Sequence, residues 1–467
     1  MYYHLDKGWV PCGWRKLPFA LQNIYSGLAL FFSREAYRFL LQCDGGKELS
    51  LPDGDERIRN ELTKLMEMGV LLGESIPNPA PLAPYRLYPA EYRRNVHWSI
   101  TGHCNYRCRH CFMSAPEARF PQPSWDQLMD IVDQLESCGI RRVSLTGGEP
   151  LIREDFLRLV QVLCEHRILI TVIFTNGKLV TRELLETLRN YHVRCSFQFS
   201  FDGTDGWHDW MRNVPGASRE LDRALQLCRE YGFRVSCAMC LHKKSAHVLR
   251  DSVQYLASAG VSSVKVNAAT FEGDWKRYPD YHLQPSELFQ CFLDYLPFYF
   301  EDDCPVVLTL DGFFFYDGKA ARYKDYFTRD TGIPTNQSLI CGGTRINFFI
   351  GADGTVVPCM GMAGNPVSKK FPNIFETKLS DILTDSYLLE VGNYTFQDML
   401  DHNPECRECP HQDVCKGGCR SRACADLYDD YLVPEAETCV FHREGWKEKI
   451  ESVCLQPFEE YKKRKGI

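Results

Sequence analysis

No stretch of this 467-residue chain is both long enough and apolar enough to cross a bilayer. The longest apolar-leaning run, Phe19 to Phe32, is broken by Gln22, Asn23 and Ser26. The opening Met-Tyr-Tyr-His-Leu-Asp-Lys lacks the charged-then-apolar build of a secretion signal. There is no block of like charge either. The 54 Lys and Arg are spread among 61 Asp and Glu, for a net charge of -7, so neither nucleic acid nor a membrane is expected as a partner. What is abundant is cysteine, with 22 residues. In a small secreted protein these would be disulfides; without a signal sequence, thiols serving as metal ligands in a reducing cytoplasm are the better expectation. The length predicts two or three domains.

The chain is organised around Cys104-Asn-Tyr-Arg-Cys108-Arg-His-Cys111, directly after the apolar-alternating run Asn95 to Thr101. A short loop with C-x3-C-x2-C spacing lets three thiolates converge on three corners of an iron-sulfur cube. The fourth iron then has no protein ligand, and an open metal position is where an external group binds and reacts. A structural zinc site is the plainer reading of the same residues. Further on, strand-like Arg142 to Leu145 runs into Thr146-Gly147-Gly148-Glu149-Pro150. Two glycines after a strand allow a ligand close to the backbone, and Glu149 can accept from an ammonium group.

Three cysteines at this spacing, followed by strand, helix, strand and GGEP, resemble a radical SAM enzyme. The resemblance implies that the open iron chelates S-adenosylmethionine, whose reductive cleavage gives a 5′-deoxyadenosyl radical that abstracts hydrogen from unactivated C–H bonds. It also implies that Gly147, Gly148, Glu149, Ser200, Asp202 and Arg212 hold the cofactor. On their own residues, Ser200 and Asp202 end a strand with two short oxygen-bearing side chains on one side, and Arg212 can pair with a carboxylate. Each taken alone is as readily a turn residue or a solvated charge. Asn176-Gly177 reads as a turn.

The fold expected is α/β: a partial (β/α)6 TIM-like barrel with an N-terminal winged-helix module and a C-terminal iron-sulfur extension. Strands are predicted near 95–101, 141–145, 168–174, 194–201, 233–240 and 262–267, with amphipathic helices such as Trp125 to Cys138 between them. In such sheets ligands bind at the strand C-terminal ends, where Cys104, Gly147, Asn176 and Asp202 fall. The barrel is placed at 95–300 and a bridging region at 301–340. Residues 1–75 read as strands near Trp9 and Leu28 to Phe32, a helix begun by Ser33 and ended by Gly45-Gly46, a helix from Asp55, and the strand-like Val70-Leu71-Leu72. This module resembles the PqqD-like recognition element of peptide maturases, which implies that an exposed strand edge takes a leader peptide as an added strand. Residues 76–94, with Pro77, Pro79, Pro81 and Pro84, read as a stiff linker.

Residues 341–467 hold the second signal. Cys341 is followed by twelve residues and Gly354, then Cys359; Cys406-x2-Cys409-x5-Cys415-x3-Cys419 and Cys439 come later. The pattern resembles the SPASM extension of radical SAM enzymes, with interleaved zinc knuckles as the alternative. The resemblance assigns Cys341, Cys359 and Cys419 to a first auxiliary 4Fe-4S cluster and Cys406, Cys409, Cys415 and Cys439 to a second, for three clusters in all. Fully ligated members have one more cysteine just before the first; Thr335 to Ile340 contains none. Either the first auxiliary cluster keeps an open iron for a substrate sulfur, or Cys424 or Cys304 closes it. Cys138, Cys164, Cys195, Cys228, Cys237 and Cys291 fall on element faces and read as core.

Three functions are expected candidates. The first is maturation of a ribosomally made precursor peptide, with a thioether from cysteine sulfur to carbon as the leading product and carbon-carbon cross-linking or backbone excision as variants. A flavodoxin or ferredoxin would supply electrons. The second is an anaerobic sulfatase-maturating enzyme, although Met360 follows Cys359 where that group has an aspartate. The third is a non-enzymatic iron-sulfur or zinc adaptor, which would need neither GGEP nor a barrel.

Overall fold

The computed structural model describes the whole chain except residues 53, 112, 114–119, 272, 317–323, 326–334, 426–428 and 467. Part of the expected bridging region 301–340 therefore lies outside the described residues.

The N-terminal region contains β1 (Tyr2–Leu5), β2 (Trp9–Trp14), β3 (Leu17–Asn23), β4 (Ala29–Phe31), α1 (Arg34–Leu40), β5 (Asp44–Glu48), α2 (Glu56–Glu67), β6 (Leu71–Glu74) and β7 (Arg86–Tyr88). Ser33 and Asp55 cap the two helices, each side chain accepting a backbone N–H of the first turn. The helices lay Tyr37, Leu40, Leu62 and Leu65 against an antiparallel sheet ordered β5-β1-β6. In a second sheet, β4-β3-β2-β7, β2 and β4 are the strands expected near Trp9 and Leu28 to Phe32, and β3 and β7 were not expected. Its strand β7 comes from the supposed linker and pairs parallel with β2, so the proline-bearing segment is extended only as far as Tyr85.

The barrel follows with β8 (Asn95–Ser99), α3 (Trp125–Ser137), β9 (Arg142–Thr146), α4 (Phe156–Glu165), β10 (Leu169–Thr175), α5 (Arg182–Asn190), β11 (Ser196–Ser200), α6 (Trp207–Arg212), α7 (Ala217–Glu230), β12 (Arg234–Leu241), α8 (Leu249–Ser258), β13 (Ser263–Ala268), α9 (Pro285–Glu301) and β14 (Val307–Leu310). Strands β8 to β14 are parallel and neighbour one another in chain order. The sequence reading stopped at six strands; β14 adds a seventh. Beyond it the sheet continues antiparallel through β15 (Phe314–Tyr316) and β16 (Lys324–Asp325). On the other side β17 (Asn347–Ile350) pairs parallel with β8, and β18 (Val356–Val357) closes a hairpin with it. The C-terminal region thus adds two strands to the barrel sheet, giving eleven in all.

Alternation decides what each face carries. Val96, Trp98, Val143, Leu145, Phe197, Phe199 and Val235 join the helices in one core. The intervening Asn95, His97, Thr171, Gln198, Ser236 and Lys265 must point to the concave side. They are less buried, and Asn95, Ser144 and Thr171 are tied together by side-chain hydrogen bonds of 2.8–3.4 Å.

The N-terminal module is docked rather than tethered. Trp14 Nε1 donates to Cys138 O at 3.0 Å and Gln22 Nε2 to Gly139 O at 3.0 Å, both at the end of α3. Trp14 is fully buried and its ring meets Phe31, Tyr88 and Tyr92.

Candidate active site

The loop after β8 brings Cys104, Cys108 and Cys111 together as half-buried thiols. Burial pushes the Cys104 thiol up to about 12, and the charges of Cys108 and Cys111 add to it. Apolar surroundings that disfavour lone thiolates suit a site whose sulfurs give their charge to a metal. The Tyr106 N–H points at Cys104 Sγ at 3.4 Å.

The GGEP turn after β9 is stitched to this loop. Gly148 N–H donates to Thr101 O and Glu149 N–H to His103 O, each at 2.9 Å. A Cβ on Gly147 would stand 2.5 Å from Thr101 O, and one on Gly148 would stand 2.2 Å from His103 O. The two glycines are therefore required by backbone meeting backbone as well as by any ligand. The Glu149 carboxylate is buried and accepts from Leu151 N–H, Thr175 Oγ1–H and Asn176 N–H at 2.8–3.1 Å. Burial lifts it to about 7 against these donors. It braces the ends of β9 and β10, and the ammonium partner expected from sequence meets a carboxylate already engaged. Asn176 does form the expected turn, accepting Lys178 N–H at 3.0 Å, yet its Nδ2 also donates to Asn105 Oδ1 at 2.7 Å inside the cysteine loop.

Asp202 and Arg212 meet, and Ser200 does not join them. Ser200 stays on the concave side at the end of β11, whereas Asp202 lies beyond the strand and turns inward. Its carboxylate is fully buried and holds the Arg212 guanidinium by a fork at 2.7 and 3.0 Å, with His208 Nδ1 at 3.2 Å and Cys240 N–H at 3.3 Å. Burial opposes its ionisation, but the Arg212 charge holds it well below the ordinary carboxylate range. The remaining Arg212 nitrogen, Nη1, reaches Cys108 Sγ at 3.6 Å. In this arrangement Asp202 orients Arg212, and Arg212 faces the thiols.

Sequence reasoning missed the layer behind the cysteine loop. Arg109 stacks on Trp210 and Tyr278, its N–H donates to Met211 O at 2.9 Å, and Asp274 N–H reaches Cys111 O at 3.3 Å. His110, Asp202 and Cys240 place ligand-type atoms within 4.8 Å of one another. With Asp202 already spent on Arg212, that group has no net negative charge to hold a cation. The aromatic run Trp207 to Tyr281 was the available signal, but nothing local in it says that it folds back on residues 108–111.

The C-terminal cysteines separate into two sets. Cys406, Cys409, Cys415 and Cys439 line one small cavity with Phe396, His411 and His442. Burial pushes the Cys415 thiol up to about 12, and the charges of Cys439, Cys406 and Cys409 add to it. The second set is Cys341, Cys359 and Cys419. Burial pushes Cys359 up to about 12, with the charges of Cys419 and Cys341 adding to it. Cys359 and Cys419 are nevertheless exposed to solvent, and Cys341 is half-buried. Cys419 stands at the mouth of the barrel: Arg422 binds Asp311, just past β14, at 3.1 Å, and Asp311 binds Lys265 at 3.2 Å. Of the two proposed fourth ligands, Cys424 lies near enough to the set for the Cys419 charge, after burial and Asp430, to help raise its thiol, whereas Cys304 lies elsewhere. Cys424 Sγ donates to Asp430 O at 3.4 Å, and Cys304 lies against Tyr299 and Tyr461 at the end of α9.

Comparison with known proteins agrees with this geometry. Residues 98–256 match the Radical SAM superfamily and residues 341–410 the SPASM iron-sulfur cluster-binding domain. The chain is 25% identical over 375 residues to an AdoMet-dependent heme synthase of Nitratidesulfovibrio vulgaris, covering 73% of this chain and 90% of that protein. It is 25% identical over 300 residues to the sporulation killing factor maturation protein SkfB of Bacillus subtilis, covering 62% of this chain and 65% of that one. Among solved structures, Streptococcus suis SuiB bound to precursor peptide SuiA superposes with a TM-score of 0.62 at 15% identity, covering 93% of this chain and 99% of that one. In the described residues no helix is long and apolar enough to cross a membrane.

Proposed function

We propose that this radical SAM enzyme matures a ribosomally made precursor peptide by joining a cysteine sulfur to a carbon of the same peptide. The observation that carries the reading is the second trio of thiols, Cys341, Cys359 and Cys419, two of them exposed to solvent, while Cys406, Cys409, Cys415 and Cys439 line a cavity of their own. Three ligands on a four-iron cluster leave one iron for a substrate thiolate.

Cys104, Cys108 and Cys111 would hold the cluster that binds S-adenosylmethionine, which supplies a radical able to remove one hydrogen atom from the peptide. Gly147 and Gly148 let the GGEP backbone lie against the cysteine loop, and Glu149 fixes that contact. Asp202 aims Arg212 toward Cys108, where the guanidinium would pair with the cofactor carboxylate, and Ser200, apart from them on the concave side at the strand end, would offer a hydroxyl. Cys406, Cys409, Cys415 and Cys439 would hold the second auxiliary cluster. Forming the C–S bond would take a hydrogen atom from carbon and a proton from sulfur and leave one electron, which auxiliary clusters held by these cysteines would accept.

The polar concave face suits a peptide, whose amides need partners. For the leader, the edge of β6 is the fitting place, since the β5 edge is occupied: Asn78 and Ala80 N–H donate to Gly45 and Asp44 O at 2.9 and 2.7 Å. SuiB, of similar fold, is known with its precursor peptide bound, and SkfB is a peptide maturation protein. A second reading, chemistry on a porphyrin, is favoured by the 90% coverage of a heme synthase; the hydroxyl and amide lining of the concave face counts against so flat and apolar a substrate.

The test is the mass of a short cysteine-containing peptide, encoded beside the gene, after co-expression with the full chain. Loss of two hydrogens together with loss of one alkylatable thiol is expected. An unchanged mass with intact thiols would refute the reading.

A further inference from the structure

Two side chains beside the first auxiliary trio carry hydroxyls that bind nothing. Tyr431 is 1% exposed and Thr344 is fully buried, and neither hydroxyl oxygen has a hydrogen-bond partner. Burying such a group unpaired costs free energy, and Phe or Val would fill the same space without that cost. A chain that keeps both hydroxyls has a use for them once the site is filled.

Their positions say what the use is. Thr344 lies in the turn that begins at Cys341, its N–H directed at Cys341 O at 3.4 Å. Its methyl carbon Cγ2 is 3.2 Å from where a Cβ on Gly392 would stand, which orients that carbon toward Gly392 and the hydroxyl elsewhere. The Tyr431 ring packs on Tyr394 with centroids 6.2 Å apart, and Tyr394 O accepts from Ile340 N–H, the residue before Cys341. Arg420, one residue after Cys419, donates to Tyr431 O at 3.3 Å and so ties the same ring to the third cysteine. The Tyr431 phenol is buried and lies near enough to Cys341 and Cys359 to feel their charge. The Thr344 hydroxyl lies close to the phenol, so the two form one unpaired hydroxyl cluster beside the trio.

We propose that Tyr431 and Thr344 donate hydrogen bonds to the sulfurs of a cluster held by Cys341, Cys359 and Cys419, and thereby raise its reduction potential. The inference rests on the reading of that trio as a cluster site. Donors directed at a cluster stabilise the extra negative charge of its reduced form, and the potential moves up. A higher potential makes this cluster the better acceptor for the electron left by C–S bond formation.

The experiment uses the full chain with Cys104, Cys108 and Cys111 replaced by alanine, so that only the auxiliary clusters form on anaerobic reconstitution with iron and sulfide. Redox titration followed by electron paramagnetic resonance then reads two couples. Tyr431→Phe and Thr344→Val should each move one and the same couple to lower potential, leave the other in place and leave iron content unchanged. In deuterated buffer, pulsed resonance should show an exchangeable proton coupled to the reduced cluster that Tyr431→Phe removes. Unmoved couples in both variants at full iron content would overturn the proposal. So would a visible phenolate-to-iron band abolished by Tyr431→Phe, which would make Tyr431 a ligand. Iron for a single cluster in the parent would show instead that the trio holds none, and the reading beneath the proposal would fall.

Discussion

The contact between the GGEP turn and the cysteine loop can be broken by one methyl group. In Gly148→Ala the new Cβ would stand 2.2 Å from His103 O, 2.5 Å from His103 C and 3.0 Å from Cys104 Cβ. Each obstacle is backbone or the root of a presumptive ligand, so no flexible side chain can yield. To restore an ordinary contact the His103 carbonyl must retreat by about 1.2 Å, and it carries the 2.9 Å bond from Glu149 N–H. A displacement of about 1 Å at reacting groups costs on the order of 100-fold in rate. The variant should fold, since the barrel core lies on the other face of the sheet, but bind less iron at the first site and release 5′-deoxyadenosine at about one hundredth of the parent rate. Iron counting and a timed assay for 5′-deoxyadenosine measure both. Gly46→Ala is the control, because only the Asp44 side chain of its own strand lies within 4 Å, and that at 3.5 Å. Parent-like iron content and cleavage in Gly148→Ala would refute the reasoning.

Asp202→Ala should cost about 3–5 kcal/mol in denaturant unfolding of the apoprotein, because it strands a buried guanidinium, and Arg212→Met added to it should recover part of that loss; additive losses would count against the pair. Trp14→Ala should cost about 3–5 kcal/mol and expose the end of α3 to hydrogen exchange, while an unchanged exchange pattern would contradict the docked N-terminal module. Burial lowers the His242 imidazole to about 4 among Trp207, Trp210, Trp275 and Tyr281. Between its unfolded value of about 6.5 and about 4 the unfolded chain binds a proton that the folded one does not, so stability falls as pH falls through that window, by at most about 3 kcal/mol from this group. His242→Gln should flatten that slope in urea titrations from pH 7 to 4; an unaltered slope would refute the assignment. Adding leader peptide should slow amide exchange in Leu71–Glu74, and exchange slowed only elsewhere would move the recognition edge.

The barrel was legible because each of its strands alternates locally. The expected strand at 168–174 is Leu169–Thr175, and that at 262–267 is Ser263–Ala268. The pairing of β17 with β8 was not legible, because residues 347–350 meet 95–98 across the chain with no local sign of it. In the N-terminal region β1, β3 and β5 were missed, the last because Gly45-Gly46 reads as a helix end but forms strand after the helix has stopped. Asp202 was placed on the face of Ser200 by strand alternation, yet the strand ends at Ser200, so alternation no longer governs it. The split of the C-terminal cysteines into a three and a four came from the resemblance, not from any local pattern; in the structure Cys406, Cys409, Cys415 and Cys439 line one cavity. The layer of Trp210, Trp275 and Tyr278 behind the thiols came from neither, since an aromatic run says only that it will be buried.

The most direct measurement is the Mössbauer spectrum of the full chain lacking Cys104, Cys108 and Cys111, reconstituted with isotopically enriched iron and recorded with and without a cysteine-containing substrate peptide. Two auxiliary four-iron clusters are predicted, one of which has a distinct iron whose signal shifts when the peptide thiolate binds. Two fully cysteine-ligated clusters that ignore the peptide, or zinc in place of either, would contradict the account.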